Sequence, residues 1–249
     1  MRETAPALLP AQFFSHETAL ILFGCPMPRA PYAPSLHVSA HRPASQPRRR
    51  EWVGHRLGAL THSTRLIEGV RVEAPARAWV HAGELWEVDD LVAAADFLLH
   101  RRTGLVTIED LRTAAAGSSG SVRSRLRTAA DAARRGSESS EETRLRLAIL
   151  RAALPEPLLN HELRSPGGTL IARLDLAYPR YRVAVEYDGR VHAEHVAQFR
   201  RDADRWDAIR AAGWQHVRIL AHHLRPDPGV AVDKVTTALL AGGWTPSRR

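Results

Sequence analysis

The chain has 249 residues, enough for one or two domains with hydrophobic cores of their own. Its single cysteine, Cys25, excludes an intrachain disulfide and suits a reducing compartment. The longest apolar stretch, Ala19 to Phe23, is far below the roughly 20 residues a membrane span requires, so the expectation is a soluble cytoplasmic protein. The net charge is +8, yet Lys234 is the one lysine among 35 basic side chains. That excludes a Walker A loop and leaves only Lys234 for Schiff-base chemistry. A GC-rich genome accounts for the arginine-to-lysine ratio; the positive balance itself favours a polyanionic partner.

In chain order, Ser15 predicts the N-cap of a short helix over 16–22. Pro26, Pro28, Pro31 and Pro34 make the next stretch a loop. Leu36 to Val38 starts a strand, residues 42–50 form a basic loop, and 52–72 reads as short strands with turns at Gly54, Gly58 and Gly69. Pro75 suits the first position of a helix. Apolar residues at 88, 91, 92, 95, 98 and 99 predict an amphipathic helix over 87–99, and Thr107 with Asp110 predicts a capped helix after it. The GSSGS run at 117–121 reads as a flexible hinge, followed by a basic helix over 123–135.

The second half begins with Ser139 and a helix to about 153. Strands follow over 158–163, 170–177 and 181–188, then a helix over 194–211 ended near Gly213, a strand over 215–220 and a helix over 230–240. Three consecutive strands followed by an α–β crossover predict a mixed sheet with helices packed on it.

The chemistry concentrates on the strand over 181–188. Alternation turns Val183, Val185 and Tyr187 one way and Ala184, Glu186 and Asp188 the other, so two carboxylates share a face of an otherwise apolar strand. A hairpin can set Asp175 beside them. Acids gathered in an apolar sheet require a cationic compensator, and a hard divalent ion such as Mg²⁺ supplies one while accepting substrate phosphate oxygens. The bland alternative pairs Asp175 with Arg173 or Arg182. Glu142 stands three residues after Ser139, which also reads as a helix cap. Gln198, Asp202 and Arg205 form a polar stripe that is either a surface ion pair or a phosphate contact, and Trp206 and Trp214 read as core.

Taken together, Ser139, Glu142, Thr143 and Arg146, then Asp175, then Val185, Glu186, Asp188, Gly189 and His192, then Asp202, Arg205, Gly213, Trp214 and Arg218 form a pattern. It resembles the PD-(D/E)XK nuclease superfamily over about residues 137–241, and within it a branch similar to very-short-patch mismatch repair endonucleases. The resemblance implies an α/β chain of the α+β kind. Its restriction-endonuclease-like mixed sheet, flanked by helices, occupies 137–249. A hinge and basic helix occupy 117–136, and a mixed helical and short-strand regulatory or DNA-binding region occupies 1–116. The implied activity is a Mg²⁺- or Mn²⁺-dependent endonuclease, a hydrolase acting on DNA.

Its metal would sit on Asp175, Glu186 and Asp188, with Glu142 and His192 completing the catalytic set. Gln198, Asp202 and Arg205 would support that set or touch phosphate. Arg48, Arg49, Arg50, Arg123, Arg125 and Arg127 are the candidate DNA-backbone contacts. Much of the superfamily carries a lysine where this chain has Asp188, and Lys234 lies too far along to replace it. The alternative is therefore a DNA-binding or regulatory, antitoxin-like protein on a nuclease scaffold that does not cut, or one with a toxin–antitoxin or phage-defence partner.

Overall fold

The computed structural model describes residues 8–58, 64–100, 102–189 and 196–246, with the side chains of 196–202 outside that description. The chain divides into two compact units, Met1–Arg135 and Gly136–Arg249, and both combine helices with a mixed sheet. Among the described residues, no helix is long and apolar enough to cross a membrane.

The first unit is built on five strands: β1 (Gln12–Phe14), β2 (Leu36–His41), β3 (Trp52–Leu57), β4 (Thr64–Ile67) and β5 (Val70–Glu73). Their order is β3-β2-β1-β5-β4, with β1/β5 and β2/β3 parallel and the other pairs antiparallel. Helix α1 (His16–Leu22) starts behind Ser15, and α2 (Pro75–Ala82) has its proline at the first turn, where the missing N–H has no intrahelical partner to lose. Helix α3 (Val88–Leu99) buries Leu91, Leu98 and their neighbours, as the apolar spacing predicts. The Thr107 hydroxyl and the Asp110 carboxylate form a reciprocal capping box on α4 (Ile108–Ala116). The core centres on Trp79, Trp86, Phe14 and Leu20, and Trp79 Nε1 donates to the Leu91 carbonyl at 2.9 Å.

Two local expectations are corrected here. Gly54 lies inside β3 rather than in a turn, and it is glycine because the 42–50 loop folds back over it: a Cβ there would meet the Pro47 carbonyl oxygen at 1.9 Å. Gln46 Nε2 pins that loop by donating to Gly54 O at 2.7 Å. The 117–121 run is no hinge between units. It is the turn from α4 into α5 (Gly120–Ala132), and α5 packs on α3 and α4 through Leu126, Ala129 and Ala130. Arg123 ties the turn down by donating to the Ser118 and Ala116 carbonyls at 2.6 and 2.8 Å.

The second unit opens with α6 (Ser140–Arg151), followed by β6 (Leu158–Arg164), β7 (Leu170–Tyr178) and β8 (Val183–Asp188). Helix α7 (Val196–Ala211) leads to β9 (Gln215–Leu220), the single turn α8 (Ala221–Leu224) and α9 (Gly229–Ala241). The sheet order is β6-β7-β8-β9, antiparallel until the β8/β9 pair, which is parallel as the α7 crossover demands. Val183, Val185, Leu176 and Ile219 join Leu145 and Ile149 of α6 and Val235 and Leu239 of α9 in one apolar cluster. Ala177 and Ala184 join Leu163, Leu174 and Ile209 of α7 in another.

The Gly54→Ala variant is expected to lose about 1–3 kcal/mol of stability, the usual cost of forcing an extra methyl into a packed site. Urea denaturation followed by circular dichroism measures it; an unchanged midpoint would contradict the close approach of the loop.

Candidate active site

Strand β8 lies between β7 and β9, so its residues draw partners from both sides. Its apolar face feeds the core with α6 and α9, which leaves Glu186 and Asp188 on the face toward α7. The register that sets Leu176 opposite Val185 brings Asp175 level with Glu186, and Asp175 Oδ2 accepts a hydrogen bond from Tyr187 N at 3.1 Å. On the other side, the parallel register sets Arg218 opposite Glu186, and His216, two residues earlier, shares its face.

Glu186 is only 3% exposed. Its Oε2 accepts from Arg205 Nη2 of α7 at 2.8 Å and lies 2.9 Å from His216 Nε2. Its Oε1 is buried and has no hydrogen-bond partner among the described residues. Asp188 Oδ2 accepts from Arg218 Nε and Nη2 at 3.0 and 2.5 Å. The Arg218 guanidinium also lies 4.6 Å over the Trp206 ring, whose other neighbour is the His216 ring at 5.5 Å. A small cleft of about 70 Å³ is lined by Glu186, Asp188, Gly189, Arg205, Trp206 and Arg218, with Tyr187.

Glu142 sits in the first turn of α6. Its backbone N–H donates to Ser139 Oγ at 3.2 Å, that hydroxyl donates to Glu142 Oε1 at 2.8 Å, and Glu138 N donates to Oε2 at 2.9 Å. Glu142 therefore caps its helix, and it also belongs to the acidic cluster. Burial, with Glu142 and Glu186 alongside, pushes the Asp175 carboxyl up to about 7, against weaker opposite effects from the Tyr187 N–H and Arg205. Burial raises the Glu142 carboxyl as well.

The structure thus brings Glu142, Asp175, Glu186 and Arg205 together. Asp175 does not take Arg173, which pairs with Glu138 at 2.5 Å. Asp188 departs from the expected set of three metal ligands, because the β8/β9 register hands its carboxylate to Arg218. Among the described residues, no three histidine or carboxylate ligand atoms of this unit lie within 4.8 Å of one another. His192 lies outside the described residues; Gln198 and Asp202 lie on α7, their side chains outside the description.

His216 belongs to no motif of the sequence, although period-two alternation along β9 pairs it with Arg218 on one face. Trp206, read as core, is half-buried at the cleft instead. Of the candidate DNA contacts, Arg48, Arg49, Arg50, Arg123 and Arg127 are exposed and Arg125 is half-buried, with Arg49 4.7 Å over the Trp52 ring. Arg125 donates to the Gly83 and Trp86 carbonyls, and Arg123 to those named above, so both serve the packing of the first unit.

The chain is 34% identical to two uncharacterized proteins of Mycobacterium tuberculosis, from strains CDC 1551 / Oshkosh and ATCC 25618 / H37Rv. The match spans 92 residues, 37% of this chain, and covers about a third of each relative (34%). No family model matches the chain. No solved structure matches it.

Asp175 holds its proton more tightly folded than unfolded. Its contribution to stability is therefore complete below pH 4 and lost as the pH rises through about 7. The stability of Asp175→Asn relative to the parent is expected to rise between pH 4 and pH 8 by on the order of 1–3 kcal/mol, measured by urea denaturation at each pH. A pH-independent difference would contradict the raised carboxyl.

Proposed function

We propose that the second unit is a metal-dependent DNA endonuclease that hydrolyses phosphodiester bonds, acting in the cytoplasm. The observation that carries this reading is the acidic cluster of Glu142, Asp175 and Glu186, in which one buried Glu186 oxygen has no partner among the described residues. The donors are all carboxylate oxygens, which suits a hard cation, and Mg²⁺ needs only one or two carboxylates when water and phosphate oxygens complete its shell. The residues fit such an ion: Asp175 and Glu186 would hold it, with Glu142 adjoining. When bound, Mg²⁺ or Mn²⁺ lowers the pKa of a coordinated water and stabilises charge on the phosphoryl oxygens.

The protein's own groups do the positioning. Arg205 and His216 hold Glu186 in place by its Oε2 and leave Oε1 available. Arg218, fixed between Asp188 and Trp206 and 39% exposed, offers its guanidinium to a phosphate at the cleft. His192, four residues past Asp188, is the proton-transfer partner that the nuclease resemblance implies. Exposed Arg48, Arg49, Arg50 and Arg127 supply backbone contacts whose strength falls with salt.

A second reading, a DNA-binding or regulatory protein that does not cut, is favoured by one observation. Arg205 and Arg218 already place fixed positive charge on Glu186 and Asp188, the latter at the usual lysine position.

Supercoiled plasmid incubated with the protein is expected to be nicked in Mg²⁺ or Mn²⁺ and spared in EDTA. Glu186→Gln is expected to lower the rate about 10²–10³-fold, the scale for losing one electrostatic contributor to a transition state, while DNA binding in a gel shift survives. Salt-sensitive binding without cleavage in either metal supports the second reading. Cleavage that persists in Glu186→Gln contradicts the site.

A further inference from the structure

The first unit carries a buried imidazole cluster that owes nothing to the acidic strand. The β2/β3 register sets Ser39 opposite His55, so alternation places His37 and His55 on one face of the sheet. His16 opens α1 with a left-handed backbone, φ 53°, a costly conformation for a residue with a Cβ. Its ring centroid lies 3.8 Å from that of His55, 4.5 Å from His81 and 5.0 Å from His37. His37 Nδ1 is 2.8 Å from His55 Nε2. Ligand atoms of His16, His37 and His55 lie within 4.8 Å of one another, as do those of His16, Glu73 and His81.

The surroundings of the cluster match what imidazole ligands need, one ring nitrogen engaged so that the other is set toward an ion. His16 Nδ1 lies 3.0 Å from Ser15 Oγ, His37 Nε2 lies 3.5 Å from Glu17 Oε1, and His81 Nδ1 lies 2.9 Å from Glu73 Oε1. Glu17 is itself fixed by Ser35 N at 2.7 Å, Trp86 Nε1 at 2.9 Å and the Tyr32 hydroxyl. Burial raises the Glu17 carboxyl, but the hydrogen bonds from His37, Tyr32, Trp86 and Ser35 outweigh it and hold the group below its usual value. Glu73 is fully buried; its Oε2 accepts from His16 N at 3.1 Å and lies 3.1 Å from His81 Nδ1, while its Oε1 has no hydrogen-bond partner among the described residues.

We infer that the first unit binds one transition-metal ion of the imidazole-preferring class, zinc(II), on His16, His37 and His55, with Glu73 and His81 adjoining through His16. Three imidazoles with a position left for water form a zinc-type donor set, and magnesium, which requires oxygen ligands, is a poor competitor for it. Glu17 and Ser15 orient the ligands without touching the ion.

Full-length protein stripped with chelator and titrated with Zn²⁺, and in parallel with Co²⁺ followed by its visible absorption, tests this. One tight equivalent is expected, undiminished by excess Mg²⁺ and retained in Glu186→Gln. The double variant His37→Ala, His55→Ala is expected to lose it. Glu17→Gln, which keeps the shape of the network, is expected to weaken it about 10–100-fold. Where circular dichroism shows the alanine variant unfolded, His55→Gln and Glu17→Gln carry the test. Absence of a tight equivalent, or one unaffected by the His37, His55 and Glu17 substitutions, overturns the inference. Its failure leaves the nuclease proposal standing, because the acidic cluster belongs to the other unit.

Discussion

A buried carboxylate on a central strand is the constraint around which the second unit is organised. Removing Glu186 from water costs several kcal/mol unless charge and hydrogen bonds replace the lost hydration. The strands and helix beside β8 carry the replacements: Arg205 comes from α7 and His216 from β9. The parallel β8/β9 register that aligns Arg218 with Glu186 also lets Arg218 reach Asp188. Compensation is incomplete, since Glu186 Oε1 has no partner among the described residues and Asp175 is pushed up to about 7 by burial and its acidic neighbours. A structure that merely required stability would gain from apolar residues here. The retained deficit of positive charge is the physical content of the nuclease reading.

The first unit follows a similar logic with different chemistry. Its sheet turns a polar face, with His37, Ser39 and His55, into a covered interior, and His16 and His81 come from helices that follow β1 and β5. Imidazoles and two buried glutamates take the place of the acids and arginines of the second unit. In both units the polar side chains are held by hydrogen bonds to groups outside the cluster, which makes their geometry rigid before any ligand arrives.

Local signals made most of the fold legible. Thr107 and Ser139 mark helix starts because capping chemistry acts within one turn, Pro75 marks one through its fixed φ, and Ser15 precedes one although its hydroxyl bonds His16 and Ser39 instead of capping; the three-strand run with its crossover implies the mixed sheet. On the acidic strand, alternation alone separated Glu186 and Asp188 from the valines. Gly54 carries the signal of a turn because glycine has two uses, and the Pro47 carbonyl that requires it arrives from a loop whose path depends on tertiary packing. The small polar run at 117–121 has the composition of a hinge, but arginine and helix contacts hold it. The pairing of Asp188 with Arg218 depends on inter-strand register, and the histidine cluster joins residues from α1, β2, β3 and α2, separations at which no sequence period operates.

The central claim, that the acidic cluster is poised for a divalent cation, is tested most directly by following the Asp175 carboxyl carbon by NMR through a pH titration, with and without Mg²⁺. An apparent pKa near 7 is expected in the metal-free protein, falling by more than one pH unit at saturating Mg²⁺, as a bound cation favours the ionised form. A titration near 4 without metal, or one near 7 that Mg²⁺ leaves unchanged, would contradict it.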